Sequence, residues 1–233
     1  MDANAIILNS ATVGVVLSMM TYGFGVWLRS KTKIDFLNPL LISIASIIVI
    51  LLVFDIDYQS FNESAKYLSY LLTPATVALA IPLYKQLDLL KKNLKAILIG
   101  VASGVLTSMS SVLAFCVLFR LSHEDYVTLL PKSITTAIGM DVSKELGGSV
   151  TISVAVIIIT GILGNMLATT MTKLFRIKNP IAVGLMCGTA SHAIGTAKAM
   201  QIGEIEGAMS SLAIVVSGLM TVVGASFFAM IGA

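Results

Sequence analysis

One lysine and three hydroxyl side chains occur close together inside a hydrophobic part of the sequence. They lie at positions 131 to 136, and the candidate substrate-binding residues of this run are Pro131, Lys132, Ser133, Thr135 and Thr136. Backbone N–H groups at a broken helix would point at a carboxylate, and the lysine would neutralise its charge. The alternative is that the hydroxyls satisfy backbone carbonyls around the proline while Lys132 extends to the membrane surface. We favour anion binding, because an ionisable residue within a membrane is rare unless it has a function.

A second polar stretch, positions 188 to 199, interrupts a later hydrophobic segment. Its candidates for substrate binding are Thr189, Ser191, His192 and Thr196. Imidazole titrates near physiological pH, so His192 could bind substrate or carry a coupled proton, although a lone histidine is often only a hydrogen-bonded core residue. Small-residue packing alone would explain the glycines and alanines of the stretch. We interpret it as a broken or re-entrant helix at the centre of a transport site.

The composition is typical of an integral membrane protein. Of 233 residues, 57% are hydrophobic and 12% are charged, and the mean hydropathy is +0.95. A soluble domain carries about 25% charged residues. Several uncharged stretches reach the length of about 20 residues that a membrane-spanning helix needs, and the short alternating segments of a β-barrel are not seen. The sequence therefore predicts an all-α membrane protein.

Other functional classes lack their sequence signatures. The chain has no Walker loop, Rossmann fingerprint, zinc-protease motif or nucleophile elbow, so we do not expect an enzyme. Cys116 and Cys187 lie in apolar surroundings, and we expect no disulfide, metal site or cofactor. The net charge of +3 comes from basic residues in short loops, which indicates membrane topology and not nucleic-acid binding.

Eight hydrophobic segments organise the chain, and six to eight of them would cross the membrane. They cover residues 6–28, 36–54, 67–84, 96–119, 127–140, 149–172, 181–200 and 207–233, with a polar external loop at 55–66. Broken segments are expected near 67–84, 127–147 and 181–200, with helix-break residues at Pro74, Pro82, Gly139, Gly188 and Gly195. We predict a single polytopic domain, 1–233, with a two-span part at 1–66 and a core at 67–233.

Charge counting favours a topology with two re-entrant segments. If all eight segments cross, nine of the fourteen lysines and arginines other than Lys132 are cytoplasmic. If segment 127–140 instead enters and leaves on the outside, and segment 181–200 on the inside, the basic residues at 173–178 become cytoplasmic and the ratio is eleven to three. The second arrangement obeys the positive-inside rule better, so we prefer it.

A short internal repeat supports this topology. The tripeptide Ala-Ile-Gly at 137–139 recurs at 193–195, 56 positions later, and a polar stretch and a long span follow each copy. Discontinuous segments that enter from opposite faces are typical of inverted-topology repeats, which build a substrate site near the midplane. Three-residue repeats also arise by chance in apolar, glycine-rich segments.

Longer motifs cover nearly the whole chain in the order of a known family. They are LLTPATVALAIPLYK at 71–85, LLPKSITTAI at 129–138 with SKELGG at 143–148, and GTASHAIGTAKA at 188–199. These motifs resemble the LrgB/CidB family of bacterial membrane proteins. The resemblance implies holin/antiholin-like control of murein hydrolase activity in the bacterial cell membrane, beside a smaller LrgA/CidA-type partner. It also implies small-monocarboxylate transport, through plastidal glycolate/glycerate translocators and members linked to pyruvate uptake.

Two functions are therefore open. We expect a secondary transporter of small monocarboxylates of the pyruvate or glycolate class, with proton coupling through His192 as one form of it. The alternative is a holin/antiholin-like regulator of murein hydrolase activity, autolysis and programmed cell death. The expected partners are a small carboxylate anion, the lipid bilayer, an LrgA/CidA-type membrane protein and further copies of the chain.

Overall fold

The computed structural model describes residues 12–32, 37–78 and 80–231, which form α-helices joined by short loops, with no β-strand among them. The helices are α1 (Val13–Thr32), α2 (Pro39–Val53), α3 (Tyr58–Tyr70), α4 (Leu72–Ala78), α5 (Ala80–Lys85), α6 (Leu87–Phe119), α7 (His123–Leu129), α8 (Thr136–Glu145), α9 (Val150–Leu174), α10 (Pro180–Ile202) and α11 (Glu204–Ile231). The predicted all-α class is confirmed. Residues 6–11 of the first predicted span, residue 36 of the second, residue 79 of the third and residues 232–233 of the last lie outside the described residues.

The chain forms two compact units, Met1–Ala78 and Leu79–Ala233. The first contains α1 to α4, and the second contains α5 to α11. In the segment predicted to be broken at 67–84, α3 ends and two short helices follow, with Pro74 in α4 and Pro82 in α5. The single polytopic domain with a division at residue 66 stays a prediction.

In the first unit, α1 and α2 form an antiparallel helical hairpin. Asn38 caps α2, and Pro39 occupies its first turn, where a missing N–H costs nothing. Gly25 lies against the backbone of Pro39, and one turn earlier on α1 the hydroxyl of Thr21 shares a hydrogen bond of 2.9 Å with Ser43. Small side chains on both helices therefore allow the close approach.

Helix α3 corrects the prediction of a polar loop at residues 55–66. Asp57 caps this helix by accepting a hydrogen bond of 3.0 Å from Ser60 N. Ser60 and Ser64 are buried, and Ser64 Oγ accepts a hydrogen bond of 3.1 Å from Gly14 N in α1. The loop prediction is wrong from residue 58 onward, because low hydropathy does not distinguish a loop from a polar helix that packs through small serines.

Three helices of the second unit, α6, α9 and α11, are long and apolar enough to cross a membrane, and α2 of the first unit is a shorter apolar helix. One side of α6 is buried at intervals of three or four residues and packs into a core with α7 and α11. Its members are Ile97, Val101, Val105, Met109, Val112 and Cys116. This spacing is the apolar stripe expected of a packed helix.

Helix α6, the first half of α10 and helix α11 run in the same direction. Gly100 and Gly104 of α6 lie against Leu185 and Thr189 of α10, in the same order along both helices. The first half of α10 meets residues 206–213 of α11 in the same order too. Glycines at these positions allow the helix backbones to approach closely.

This direction places two basic clusters at one end of the unit. Lys91, Lys92 and Lys95 lie in the first turns of α6, and the residues at 173–178 lie just before α10. The preferred topology predicts both clusters on one side of the membrane, and the structure agrees with it.

Helices α7 and α8 form the first re-entrant hairpin. The chain leaves the helical conformation after α7 and turns back as α8. Ser153, near the start of α9, has its Oγ 2.8 Å from Thr128 O in α7 and 2.7 Å from Ser143 Oγ in α8, so the two arms of the hairpin lie side by side. Gly139 packs against Ile157, one turn further along α9, so α8 runs antiparallel to α9.

Helix α10 is the second re-entrant hairpin. Its helical conformation is interrupted at Ser191, with φ −139°, and at His192, with φ 41° and ψ −138°. Both arms contact the same residue of α11, because Gly188 lies against Ser210 O and Thr196 Oγ1 lies 2.7 Å from Ser210 Oγ. The second arm therefore folds back beside the first.

The two hairpins belong to repeats of opposite orientation. In the first repeat, α7 begins at His123, α8 ends at Glu145 and α9 ends at Leu174. In the second repeat, α10 begins at Pro180 and ends at Ile202, and α11 ends at Ile231. Each of these three positions lies 57 residues after its counterpart in the first repeat. The Tyr126 hydroxyl donates a hydrogen bond of 2.9 Å to Phe228 O, so the start of the first repeat lies beside the end of the second. The predicted discontinuous helices and inverted repeat are confirmed.

Candidate functional site

A cavity of about 810 Å³ lies where the tips of both hairpins meet α6. Its walls come from α6, from the break between α7 and α8, from the middle of α9 and from the first arm of α10. Small-molecule sites occupy about 300–1,000 Å³. The cavity therefore has the volume of a ligand site, and most of its lining comes from α6 and from the first arm of α10.

The first hairpin contributes the positive charge of the cavity. Lys132 Nζ donates hydrogen bonds to Ser108 Oγ at 3.2 Å and to Ser133 Oγ at 3.3 Å, and these two hydroxyls lie 3.0 Å apart. Among the described residues that line the cavity, none is Asp or Glu. The ammonium group therefore has hydroxyl neighbours but no carboxylate partner in the cavity wall.

The second hairpin contributes Thr189 and Ser191. Both residues line the cavity and are buried. In the part of the chain that the structure describes, Thr189 Oγ1 is the buried side-chain polar atom that has no hydrogen-bond partner. Thr189 therefore lines the cavity as a residue, while its hydroxyl oxygen is buried.

Four of the nine predicted binding residues line the cavity, namely Lys132, Ser133, Thr189 and Ser191, whereas Pro131, Thr135, Thr136, His192 and Thr196 do not. His192 Nε2 lies 3.0 Å from Ile157 O in α9, and Thr196 Oγ1 donates to His192 O at 3.0 Å. These contacts hold the second hairpin together behind the cavity wall. A direct role of the five residues in binding stays a prediction.

The three glycines predicted as helix-break residues, Gly139, Gly188 and Gly195, lie within helical segments beside the breaks. Gly139 lies against Ile157 and Pro131 O, Gly188 against Ser210 O, and Gly195 against Cys187 O. A Cβ atom at any of these positions would meet neighbouring atoms, so each glycine permits a close helix contact. The breaks themselves are at residues 130–135 and 191–192.

Sequence reasoning missed the contribution of α6 to the cavity. The residues of this helix that line the cavity lie along one face, mostly three or four positions apart, and are small or polar: Asn93, Ala96, Gly100, Gly104, Thr107, Ser108 and Ser111. This stripe lies next to the buried apolar stripe of the same helix. A search of the fourth predicted span for small and polar residues at helical spacing would have found it.

The glycines of α9 were also missed. A Cβ atom on Gly161 would lie 2.7 Å from His192 Nε2, and one on Gly164 would overlap the Ser191 hydroxyl. The next residue, Asn165, donates from Nδ2 to Ile194 O at 2.8 Å. These three residues form a surface on α9 that accepts the second hairpin tip.

Comparison with known proteins assigns the chain to a family. The model of the LrgB-like family matches residues 18–231. The chain belongs to the LrgB-like family. It is 38% identical over 211 residues to "Holin-like protein CidB" of Staphylococcus aureus (strain Mu50 / ATCC 700699), which covers 91% of this chain and 92% of the relative. It is also 38% identical over 211 residues to "Antiholin-like protein LrgB" of Bacillus cereus (strain B4264), covering 90% and 92%.

No solved structure gives a significant match to this LrgB-like chain. The family match and the bacterial relatives, together with three helices of membrane-spanning length, make it a bacterial membrane protein. The relatives' alignments include both hairpins, because each covers about nine-tenths of the chain.

Proposed function

We propose that this LrgB-like protein is a secondary transporter of small monocarboxylates and that the anion binds at Lys132. The observation that carries the proposal is the lysine ammonium held by two hydroxyls in a cavity whose described lining residues include no Asp or Glu. A cation in the interior of a membrane protein is costly without an opposite charge, and a carboxylate ligand supplies that charge. A chain with this role needs no catalytic residue.

The arrangement of the hairpins supports transport over simple binding. Two broken helices that enter from opposite faces, with their tips at one cavity, are typical of transporters that alternate access by moving one repeat against the other. In this proposal Lys132, Ser133, Thr189 and Ser191 bind the anion. The remaining predicted residues of each tip position them.

Uptake of labelled glycolate into proteoliposomes that contain only this protein tests the proposal. We expect saturable uptake that Lys132→Met lowers by about tenfold to a hundredfold, because the variant loses a charge-assisted hydrogen bond. Lys132→Arg keeps the charge and should retain part of the uptake.

Lys144→Met is the matched control. It removes the same charge from α8, but Lys144 is exposed and does not line the cavity. Uptake by this variant should stay within twofold of the unchanged protein. Equal loss in the Lys132 and Lys144 variants, or no saturable uptake by the unchanged protein, would contradict the proposal.

The names of the relatives favour a second candidate function. Both names describe holin-like or antiholin-like proteins, and a holin/antiholin-like regulator of murein hydrolase activity and autolysis would act through assembly with an LrgA/CidA-type partner or with further copies of the chain. This function needs assembly surfaces and no anion chemistry in the interior.

Autolysis rates of cells that carry Lys132→Met as their only copy separate the two candidates. If control of autolysis depends on carboxylate flux, the variant should lose both uptake and control. Unchanged control of autolysis by a variant without uptake would favour the second candidate.

A further inference from the structure

The cavity extends far beyond Lys132 toward one end of the second unit. On α6 its lining begins at Asn93 and continues to Ser111, and before α10 it begins at Asn179. Ser108, which accepts a hydrogen bond from Lys132, lies fifteen residues after Asn93. Fifteen residues of α-helix correspond to about 22 Å. This length is several times that of a two- or three-carbon acid, so most of the cavity is a passage that leads to Lys132.

The passage reaches the surface where α6 and α10 begin. Gly104 of α6 lies against Thr189 of α10, 85 positions later, and the two helices run in the same direction. The same offset brings the start of α10 level with the first turns of α6. Ala96 and Asn179 line the cavity there, and both are exposed. The cavity therefore has its mouth at this end of the unit.

The first hairpin separates the cavity from the other end of the unit. No described residue of α6 beyond Ser111 lines the cavity. Val112 and Cys116, on the next turns of α6, are instead buried in a core with Tyr126 and Val127 of α7. An anion at Lys132 therefore meets packed apolar side chains in that direction.

The end with the mouth carries an excess of positive charge. Eight basic and three acidic residues lie in this half of the second unit, namely Lys85, Lys91, Lys92, Lys95, Lys173, Arg176, Lys178 and Lys198 with Asp88, Glu204 and Glu206. Two basic and four acidic residues lie in the other half, namely Arg120 and Lys144 with Glu124, Asp125, Asp141 and Glu145. A cleft lined by charges of one sign raises the local concentration of ions of the opposite sign.

We infer that the basic surface around Asn93 and Asn179 is an entrance for anions, whose lysines attract small carboxylates into the passage to Lys132. The inference rests on the proposed function and adds the side from which the anion arrives in this conformation. Under the preferred topology this is the cytoplasmic side.

Helix geometry distinguishes the lysines of this surface. Lys92 lies four residues before Ala96, about one turn of α6, and therefore on the cavity side of the helix. Lys91 lies nine residues before Gly100, which also lines the cavity. Nine residues make two and a half turns, so Lys91 lies on the opposite side. The two lysines are therefore a matched pair for charge reversal.

Cysteine labelling of the full chain in a non-ionic detergent measures the potential at the mouth. Ala96→Cys reports on the mouth, and Ala114→Cys, on the same side of α6 but five turns further, lies outside the cavity. The reaction rate of an anionic methanethiosulfonate is divided by that of a cationic one, and this ratio is normalised to a free thiol. The unchanged protein is the blank, because both native cysteines are buried.

The normalised ratio at Ala96→Cys should be about ten at low salt, whereas Ala114→Cys should react more slowly and without preference for the anion. Lys92→Glu should lower the ratio at Ala96→Cys about tenfold, and Lys91→Glu by no more than about threefold, because its charge is further from the mouth. In 1 M salt the screening length is about 3 Å, so the preference should disappear. Ala182→Cys, an exposed lining residue of α10, is a second reporter and should give the same results.

The inference is overturned if the mouth reporters and Ala114→Cys show the same ratio, or if Lys91→Glu acts as strongly as Lys92→Glu. It is also overturned if equimolar phosphatidylglycerol abolishes the preference, because the basic surface would then bind lipid head groups. The labelling needs no carboxylate substrate. A preserved preference in a protein without saturable glycolate uptake would therefore overturn the proposed function instead.

Discussion

Replacing Gly164 with alanine tests the contact between α9 and the second hairpin tip. The new Cβ atom would overlap Ser191 Oγ and would lie 2.6 Å from Ser191 Cβ. Ser191 cannot shift freely, because the next residue, His192, is held by its ring contact with Ile157 O. Gly164→Ala therefore forces the tip of the hairpin to move.

Two opposing effects determine how Gly164→Ala changes the free energy of unfolding. Overpacking of a rigid contact costs about 1–3 kcal/mol, and we take the upper value because both the Cβ and the hydroxyl of Ser191 are in the way. Alanine in place of glycine within a helix stabilises the folded protein by about 1 kcal/mol, because alanine has the higher helix propensity. The variant should be less stable by about 2 kcal/mol, which corresponds to a lowering of Tm by about 4–8 °C.

Thermal unfolding in detergent, followed by far-ultraviolet circular dichroism, measures this change. Gly100→Ala is the control, because its Cβ atom would meet Leu185 Cδ1 at an ordinary distance of 3.4 Å. That variant should gain up to about 1 kcal/mol from helix propensity.

A second substitution, which removes the Ser191 side chain, tests whether its contact with the new methyl group causes the loss of stability. Ser191→Gly leaves only Cα at 3.7 Å from the new methyl group, so the double variant Gly164→Ala/Ser191→Gly should recover the overpacking cost of about 3 kcal/mol relative to the sum of the single changes. The reasoning is refuted if Gly164→Ala is as stable as Gly100→Ala, or if the second substitution recovers nothing.

Two further predictions concern other contacts. Gly14→Ala should destabilise the first unit by about 1–3 kcal/mol, because its Cβ atom would lie 2.5 Å from Ser64 Oγ. Gly23→Ala is the control and should be neutral or stabilising, because its Cβ atom would have no atom within 4 Å. Equal melting temperatures of the two variants would contradict the prediction. Tyr126→Phe removes the hydrogen bond to Phe228 O and should cost about 1 kcal/mol in denaturant unfolding, and an unchanged midpoint would show that this bond adds no stability.

The fold class and the unusual residues could be predicted from the sequence. Hydrophobic composition, segment length and the distribution of basic residues are properties of single segments, and they do not depend on which helices pack together. A lysine in an apolar segment is visible without a structure too, so Lys132 and its neighbour Ser133 could be identified as candidates.

The partners of those residues could not be predicted. Ser108 looks like any serine of a membrane span, and it becomes part of the site only because the first hairpin brings Lys132 to α6. Helix α3 is a similar case, since its polar residues form a helix against α1 through a contact 50 positions away in the chain.

His192 shows the same division between sequence and tertiary structure. The sequence by itself determines that a histidine interrupts an apolar segment of a membrane protein of the LrgB-like family. Only the tertiary structure decides that its ring lies on α9 while Thr189, three residues earlier, lines the cavity. The physical reason is that Gly161 and Gly164, about 30 positions away, leave the space into which the hairpin tip packs.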